Sequence, residues 1–204
     1  MINTPITDIF GGLLHTVRTA GKDQLHMRQP FFTLQLDIQS DRVRSIEDAL
    51  RQLTLTESIQ DYTCPKTNKN IEASCQILID QLPPILILHA KLFTFDKNGG
   101  QKKLMKRLEF PIDLEVPREC LLQDRPRFAK SYKLLSVLYH EGSEANKGHF
   151  ITDLYHIGTS LWLRCDDGVV KPISVQQLLH PTSLKTPYLL FYRRCDTLRM
   201  SGRA

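Results

Sequence analysis

His149, Asp166 and Asp167 have the side chains and the spacing for proton-transfer chemistry. His149 opens an alternating stretch that runs to His156, and Asp166-Asp167 closes a second one that begins at Leu161. The link between them, Gly158-Thr159-Ser160, is a hairpin turn signal. Folding the chain about Gly158 sets His149 opposite Gly168, so His149 and Asp166 fall at one end of the ladder, within a diagonal neighbour's reach. A carboxylate there accepts the proton of one imidazole nitrogen, fixes the tautomer, and leaves the other nitrogen as a base. That is two parts of a nucleophile–base–orienter site. Taken alone, a His-Asp pair across a hairpin is more often an ordinary surface hydrogen bond; a nucleophile is what separates the two readings.

Hydropathy patterning outlines a scaffold that holds the pair. Tyr132 to Tyr139 reads as a central strand, followed by a polar loop, His140 to Lys147, that runs into His149. Ile85 to Leu88 is a continuous apolar run of the kind buried on both faces, with His89 at its end in a structural role. Tyr188 to Tyr192 is the closing buried strand, after a linker bounded by Pro181 and Pro187. Upstream, Leu13 to Thr19 and Leu25 to Gln29 flank a hairpin turn at Gly21-Lys22-Asp23. Phe32 to Ile38 and Ile71 to Ile79 alternate as half-buried strands. Ser45, with Asp48 three residues on, opens a helix whose Ile46, Ala49, Leu50 and Leu53 share one face. Thr56 to Tyr62 reads as a shorter helix, Ser174 to Leu179 as a capped one, and Asp96 to Gly100 as a hairpin turn. Phe110 to Leu114 starts a strand, and Glu115 to Lys130 reads as a surface excursion. The sum is an α+β fold dominated by a twisted antiparallel sheet with a few short helices.

Gly148-His149-Phe150 followed by Trp162 and then Asp166-Asp167 resembles the His box of the ubiquitin-specific proteases, cysteine deubiquitinases with a papain-like core. Leu82 to Phe93 is similar to that family's Leu-Pro…His-Leu-Lys-Arg-Phe strand, and Tyr188 to Arg194 to its closing strand. Ile9 to Gly12, Gln29 to Ile38 and Phe110 to Leu114 extend the likeness over nearly the whole chain. The resemblance implies partners: ubiquitin and ubiquitinated proteins. It implies His149 as general base, Asp166 as its orienter and Asp167 as an assisting polar group. Lys147, Gly148 and Trp162 fall along the substrate channel; Lys147 replaces the first Gly of the usual Gly-Gly-His. Ala90 and Leu92 replace the family's Leu and Arg. The family's Gly-Asn-Thr-Cys-Tyr-type nucleophile box is absent from these residues. The chain therefore reads as a partial catalytic domain over 1–204, the fingers and palm portion, with fingers-side segments over about 1–80 and palm over 81–196. Such a portion is inactive unless completed by an N-terminal half. The alternative is a non-catalytic module that binds ubiquitin or an adaptor. A half-domain is also expected to leave an apolar patch near His149 and Ile85 to Leu88.

Composition bounds these readings. With 204 residues, 41% hydrophobic and 24% charged, the chain has the make-up of a globular domain with a real core. It has no apolar run of about 18 residues and no basic-then-apolar leader pattern, so no membrane partner is expected and the cytoplasm, with the nucleus also open, is the expected location. Cys64, Cys75, Cys120, Cys165 and Cys195 are scattered without paired spacing, which fits free thiols. Many family members hold zinc on two Cys-x-x-Cys pairs; here Cys64 is one cysteine of one pair, so no zinc and no other cofactor is expected. Net charge is +5, with clusters at Lys102, Lys103, Lys106 and Arg107 and at Arg125, Arg127 and Lys130. They read as solvated loops rather than a nucleic-acid face, which would need aromatic or groove-reading elements beside them.

Overall fold

Local sequence sets most element boundaries in the computed structural model, which describes residues 4–63, 68, 70–95, 99–181 and 184–198. Thr4 caps helix α1 (Pro5–Phe10): its hydroxyl accepts from the Thr7 amide, and the Thr7 hydroxyl accepts from the Thr4 amide. β1 (Gly12–Ala20) and β2 (Asp23–Phe31) form the expected hairpin around Gly21, whose φ of 59° suits glycine. After β3 (Thr33–Leu36), Ser45 and Asp48 form a second capping box that opens α2 (Ile46–Thr54), burying Ile46, Ala49 and Leu50. β4 (Glu57–Ile59) stands where a short helix was expected; it gains a ladder with Ala73–Cys75, and that pairing overrides weak helical propensity. β5 (Ala73–Gln81), β6 (Ile85–Ala90), β7 (Phe93–Phe95) and β8 (Gln101–Lys103) follow. β7 and β8 pair across the expected turn, whose Asp96, Lys97 and Asn98 lie outside the described residues.

β9 (Asp113–Glu115) is shorter than the strand expected from Phe110. The stretch Glu115–Lys130 is not a surface excursion throughout: Val116 and Cys120, the last residue of a 3-10 turn (Arg118–Cys120), are fully buried ahead of the short helix α3 (Arg127–Lys130). β10 (Ser131–Glu141), β11 (His149–His156), β12 (Leu161–Asp166) and β13 (Val169–Ile173) run as antiparallel neighbours. A third capping box, Ser174 with Gln177, opens α4 (Val175–Leu179). β14 (Lys185–Arg194) starts before Pro187, so the expected linker is shorter and that proline sits inside the strand.

Two sheets result. The smaller has strand order β2-β1-β5-β4. The larger has order β13-β12-β11-β10-β14-β6-β3, with β9 also paired to β10; β3 joins it parallel to β6. Leu86, Leu88 and Ala90 of β6 are buried, but Ile85, Ile87 and His89 on its other face are only half-buried, so the two-sided burial expected there is one-sided. Tyr132, Tyr139 and Tyr192 are fully buried, and each hydroxyl finds a backbone carbonyl: Pro83, Leu178 and Pro111 respectively. The Tyr139 bond ties α4 to the central strand.

The β10–β14 ladder slips twice. Leu134 opposes Tyr192 and Ser136 opposes Phe191, which leaves Leu135 without a partner residue. Further on, Leu138 opposes Leu189 and Tyr139 opposes Pro187, which leaves Tyr188 over. The first extra residue is on β10 and the second on β14. No helix among the described residues is long and apolar enough to cross a membrane.

Candidate functional site

His149 is the first residue of β11 and Asp166 the last of β12, on the same open end of the hairpin. The observed register, with Thr152 opposite Cys165 and His156 opposite Leu161, is the one that folding about Gly158 predicts. His149 Nε2 lies 2.6 Å from Asp166 Oδ1, and 4.0 Å from Asp167 Oδ2. With the carboxylate ionised, Nε2 carries the proton and donates it, leaving the Nδ1 lone pair as the basic one. The bond to Asp166 holds the imidazole above its usual pKa; desolvation opposes this, and the charges of Asp167, Asp166 and Glu141 add to it. The same bond holds the Asp166 carboxyl below its usual range, helped by the charges of His149, Lys185 and Lys171. Both side chains are 43% exposed, so reagents in solvent reach the pair. Asp167, rather than Gly168, takes the left-handed backbone of the following turn, with φ 48°. Aspartate tolerates that conformation better than most residues.

One step further along the hairpin stands a pair that sequence reasoning missed. Asp153 and Arg164 are direct cross-strand partners, joined by two bonds of 2.7 Å. Asp153 is fully buried and the Arg164 side chain 14% exposed. Asp153 lies four residues along β11 from His149 and Arg164 two residues along β12 from Asp166, even spacings that put all four on one face of the hairpin. The signal was present as a charge inside each apolar strand, but only the register pairs them.

The structure does not bring Trp162 to the loop residues Lys147 and Gly148. Its side chain is 6% exposed, packs on Tyr155 at 5.5 Å between ring centroids, and lies four residues along β12 from Asp166. Lys147 points outward: its side chain is 77% exposed, with the ammonium 3.7 Å from a Glu144 carboxylate oxygen. Gly148 is confined. A Cβ there would stand 2.3 Å from His140 Nε2 and 2.7 Å from the Glu141 carbonyl. His140 is buried between the rings of Phe93 and Phe150, each at 5.2 Å. Tyr188, the residue left over in β14, meets His89 edge to face at 4.7 Å between ring centroids and reaches Phe93 and Phe150. Burial lowers the basicity of His89, with the Lys91 charge adding to the effect. Phe150 is 48% exposed, so an aromatic surface adjoins His149. Leu92, the residue in place of an arginine, is fully buried.

The basic clusters are not simply solvated loops. Lys103 is 2% exposed, and Lys106 donates to the Ile38 carbonyl at 3.0 Å. Arg125 donates to the Asp80 carbonyl at 2.7 Å.

His149, Asp166 and Asp167 form the one cluster of metal-ligand type among the described residues, with ligand atoms within 4.8 Å of one another. The short His149–Asp166 bond turns nitrogen and oxygen toward each other around a proton instead of toward a shared ion. No described cysteine joins that cluster. Cys165 alternates with Asp166 along β12 and so faces the other side of the sheet. Cys120 is buried, with its thiol pKa raised chiefly by desolvation. Cys64 lies outside the described residues.

Comparison with known proteins meets this geometry from outside. Ubiquitin carboxyl-terminal hydrolase 10 of Rattus norvegicus is 45% identical over 203 residues, covering 97% of this chain and 25% of its own length. Probable ubiquitin carboxyl-terminal hydrolase 3 of Schizosaccharomyces pombe is 33% identical and covers 94% of the chain and 40% of its own length. The chain thus spans about a quarter of the hydrolase 10 relatives it matches. Among solved structures, a yeast SAGA DUB module chain superposes with a TM-score of 0.82 at 26% identity, over 95% of this chain and 42% of that one. A chain of the SAGA Ubp8/Sgf11/Sus1/Sgf73 DUB module bound to ubiquitin aldehyde gives 0.77 at 27% identity, over 92% of this chain and 42% of that one. The family model described as ubiquitin carboxyl-terminal hydrolase matches residues 6–192, through both sheets and the His149–Asp166 ribbon, and the chain belongs to that family.

Proposed function

We propose that this chain carries the general-base portion of a thiol-dependent ubiquitin isopeptidase domain. In this reading His149 Nδ1 takes the proton of a cysteine thiol supplied by a segment outside these residues. The thiolate attacks the carbonyl carbon of ubiquitin's last glycine, the lysine amine leaves with a proton from the imidazolium, and water then hydrolyses the thioester. Asp166 orients the imidazole and Asp167 adds negative charge beside it. Gly148 lines the channel for the glycine tail, with the Lys147 side chain turned away from it; Trp162 supports the channel as the packed base of β12. The four-stranded sheet serves as the fingers and the eight-stranded sheet as the palm. The observation that carries the reading is the 2.6 Å bond between His149 and Asp166 at an open sheet end, within a chain of this family.

The test has two arms. The chain alone is titrated with ubiquitin, and a domain completed with a relative's thiol-bearing half is treated with ubiquitin bearing an electrophile at its C-terminus. The reading expects labelling of the completed domain and its loss in His149→Ala. Binding of ubiquitin by the chain with no labelling of the completed domain would instead assign a non-catalytic ubiquitin-binding module, the reading favoured by the absence of a described cysteine from the cluster.

A further inference from the structure

The loop between β10 and β11 ends at His149, and its base is closed by a buried ammonium. Lys103, the last residue of β8, is 2% exposed. Its Nζ donates to the His140 carbonyl at 2.9 Å, to the Gly142 carbonyl at 2.6 Å and to the Leu184 carbonyl at 3.3 Å. All three ammonium protons are thereby used. The carbonyls come from the end of β10, the start of the loop and the residue before β14. Gly142 also donates its own N–H to the Leu184 carbonyl at 3.2 Å.

The loop then crosses itself over this clamp. Gly142 has φ 129°, and a Cβ there would lie 3.0 Å from the Lys147 carbonyl and 3.2 Å from Gly148 Cα. Gly148 in turn is packed so closely that a Cβ on it would clash with His140 Nε2 and the Glu141 carbonyl. The next residue is His149, opposite Glu141 in the ladder. Close packing therefore runs from Lys103 through Gly142 and Gly148, neither of which has room for a side chain, to the residue that carries the imidazole.

We propose that Lys103 is a positioning residue for His149: its three carbonyl bonds fix the crossing of the 142–148 loop and so set where the imidazole meets Asp166. The proposal rests on the reading of His149 as the reactive base. A lysine held only for stability is a poor choice at such a place, because a buried charge costs more than an apolar side chain of the same shape. What an ammonium supplies, and a methionine does not, is three bonds aimed at three separate backbone segments.

The test reads the imidazole directly. In the labelled chain, the Nε2 proton shared by His149 and Asp166 and the amide exchange of residues 142–149 are followed by NMR for the wild type, Lys103→Met and Gly142→Ala. In Lys103→Met the shared proton is expected to be lost and loop amides to exchange at least about tenfold faster, while amides of the β10–β14 ladder keep their protection. Gly142→Ala, which parts the loop ends with the lysine intact, is expected to lose the same proton and covers the case in which Lys103→Met does not fold. Lys103→Arg, which restores donors to the carbonyls, is expected to recover part of the loop protection. A retained His149 proton in either folded variant overturns the proposal, as does a loss of protection spread evenly through the β10–β14 ladder. None of these readouts depends on ubiquitin, so the two failures are distinguishable: an unlabelled completed domain counts against the proposed function, and a retained His149 proton counts against the role of Lys103.

Discussion

Replacing Arg164 by methionine strips Asp153 of both its 2.7 Å bonds and leaves a carboxylate with no exposed surface. Two unit charges about 4 Å apart at an effective dielectric near 20 attract by about 4 kcal/mol. Removing one partner of a buried pair costs about 3–5 kcal/mol in general, so the two estimates agree. In a chain of this length that is a fall in Tm of about 6–20 °C. Asp153→Leu alone strands a largely buried guanidinium and is expected to cost a similar amount. Asp153→Leu with Arg164→Met removes both charges and fills the space with apolar atoms; it is expected to cost only about 1 kcal/mol, so that the two single costs together exceed it by about 5 kcal/mol or more. Denaturant titration with intrinsic fluorescence reads this well, because the single tryptophan, Trp162, stands two residues from Arg164 on the same strand face. Single variants that cost under about 1 kcal/mol, or a double variant equal to the sum of the two, would refute the assignment of a buried, mutually dependent pair.

Other expectations follow from the site and its frame. His149 should titrate above the ordinary imidazole value by NMR, and Asp166→Asn should bring it down, because the carboxylate bond is the leading cause of the rise. The sign of the linked stability follows. The raised imidazole contributes below its unfolded pKa and loses that contribution as pH rises through the folded one. The lowered Asp166 carboxyl contributes above its unfolded value and loses that contribution as pH falls through the folded one. Both contributions are therefore whole between the ordinary carboxylate and imidazole ranges, and Asp166→Asn should flatten the pH–Tm curve on both flanks of that window. Ser45→Ala removes the acceptor for the Asp48 amide and should cost about 1 kcal/mol by denaturant titration. Gly148→Ala should displace the backbone ahead of His149, since its Cβ meets the His140 ring, and should shift the His149 resonance and weaken ubiquitin-probe labelling in a completed domain. Asp167→Asn keeps a residue that accepts φ 48° and should hold the wild-type Tm, whereas Asp167→Val should lower it.

Much of this was legible before any coordinates. The β11–β12 register was readable because a Gly-Thr-Ser link leaves few ways to close a hairpin, and the position of Asp166 followed from counting back along it. The α2 start was readable because Ser45 and Asp48 satisfy each other's backbone neighbours locally. What the sequence hid was tertiary in origin. Glu57 to Ile59 became a strand only because β5 offered an edge. Lys103 looked like one more cation in a basic run, and nothing local announces that three carbonyls from residues 140, 142 and 184 converge on it. Asp153 and Arg164 are each unremarkable alone, and only the register pairs them. The half-burial of Ile85 and Ile87 was unreadable because an apolar run reports what a strand tolerates, not what covers it.

The two slips between β10 and β14 cancel. Glu141 faces Lys185 in the same phase in which Tyr132 faces Arg194, although Leu135 and Tyr188 both lie outside the alternation between them. A lineage that deleted either residue alone would turn the strand end bearing Glu141 over by one step, and with it the partner that His149 meets across the sheet. Loss of one residue from either strand alone should therefore lower Tm by more than loss of Leu135 and Tyr188 together, which leaves the phase of the far end unchanged.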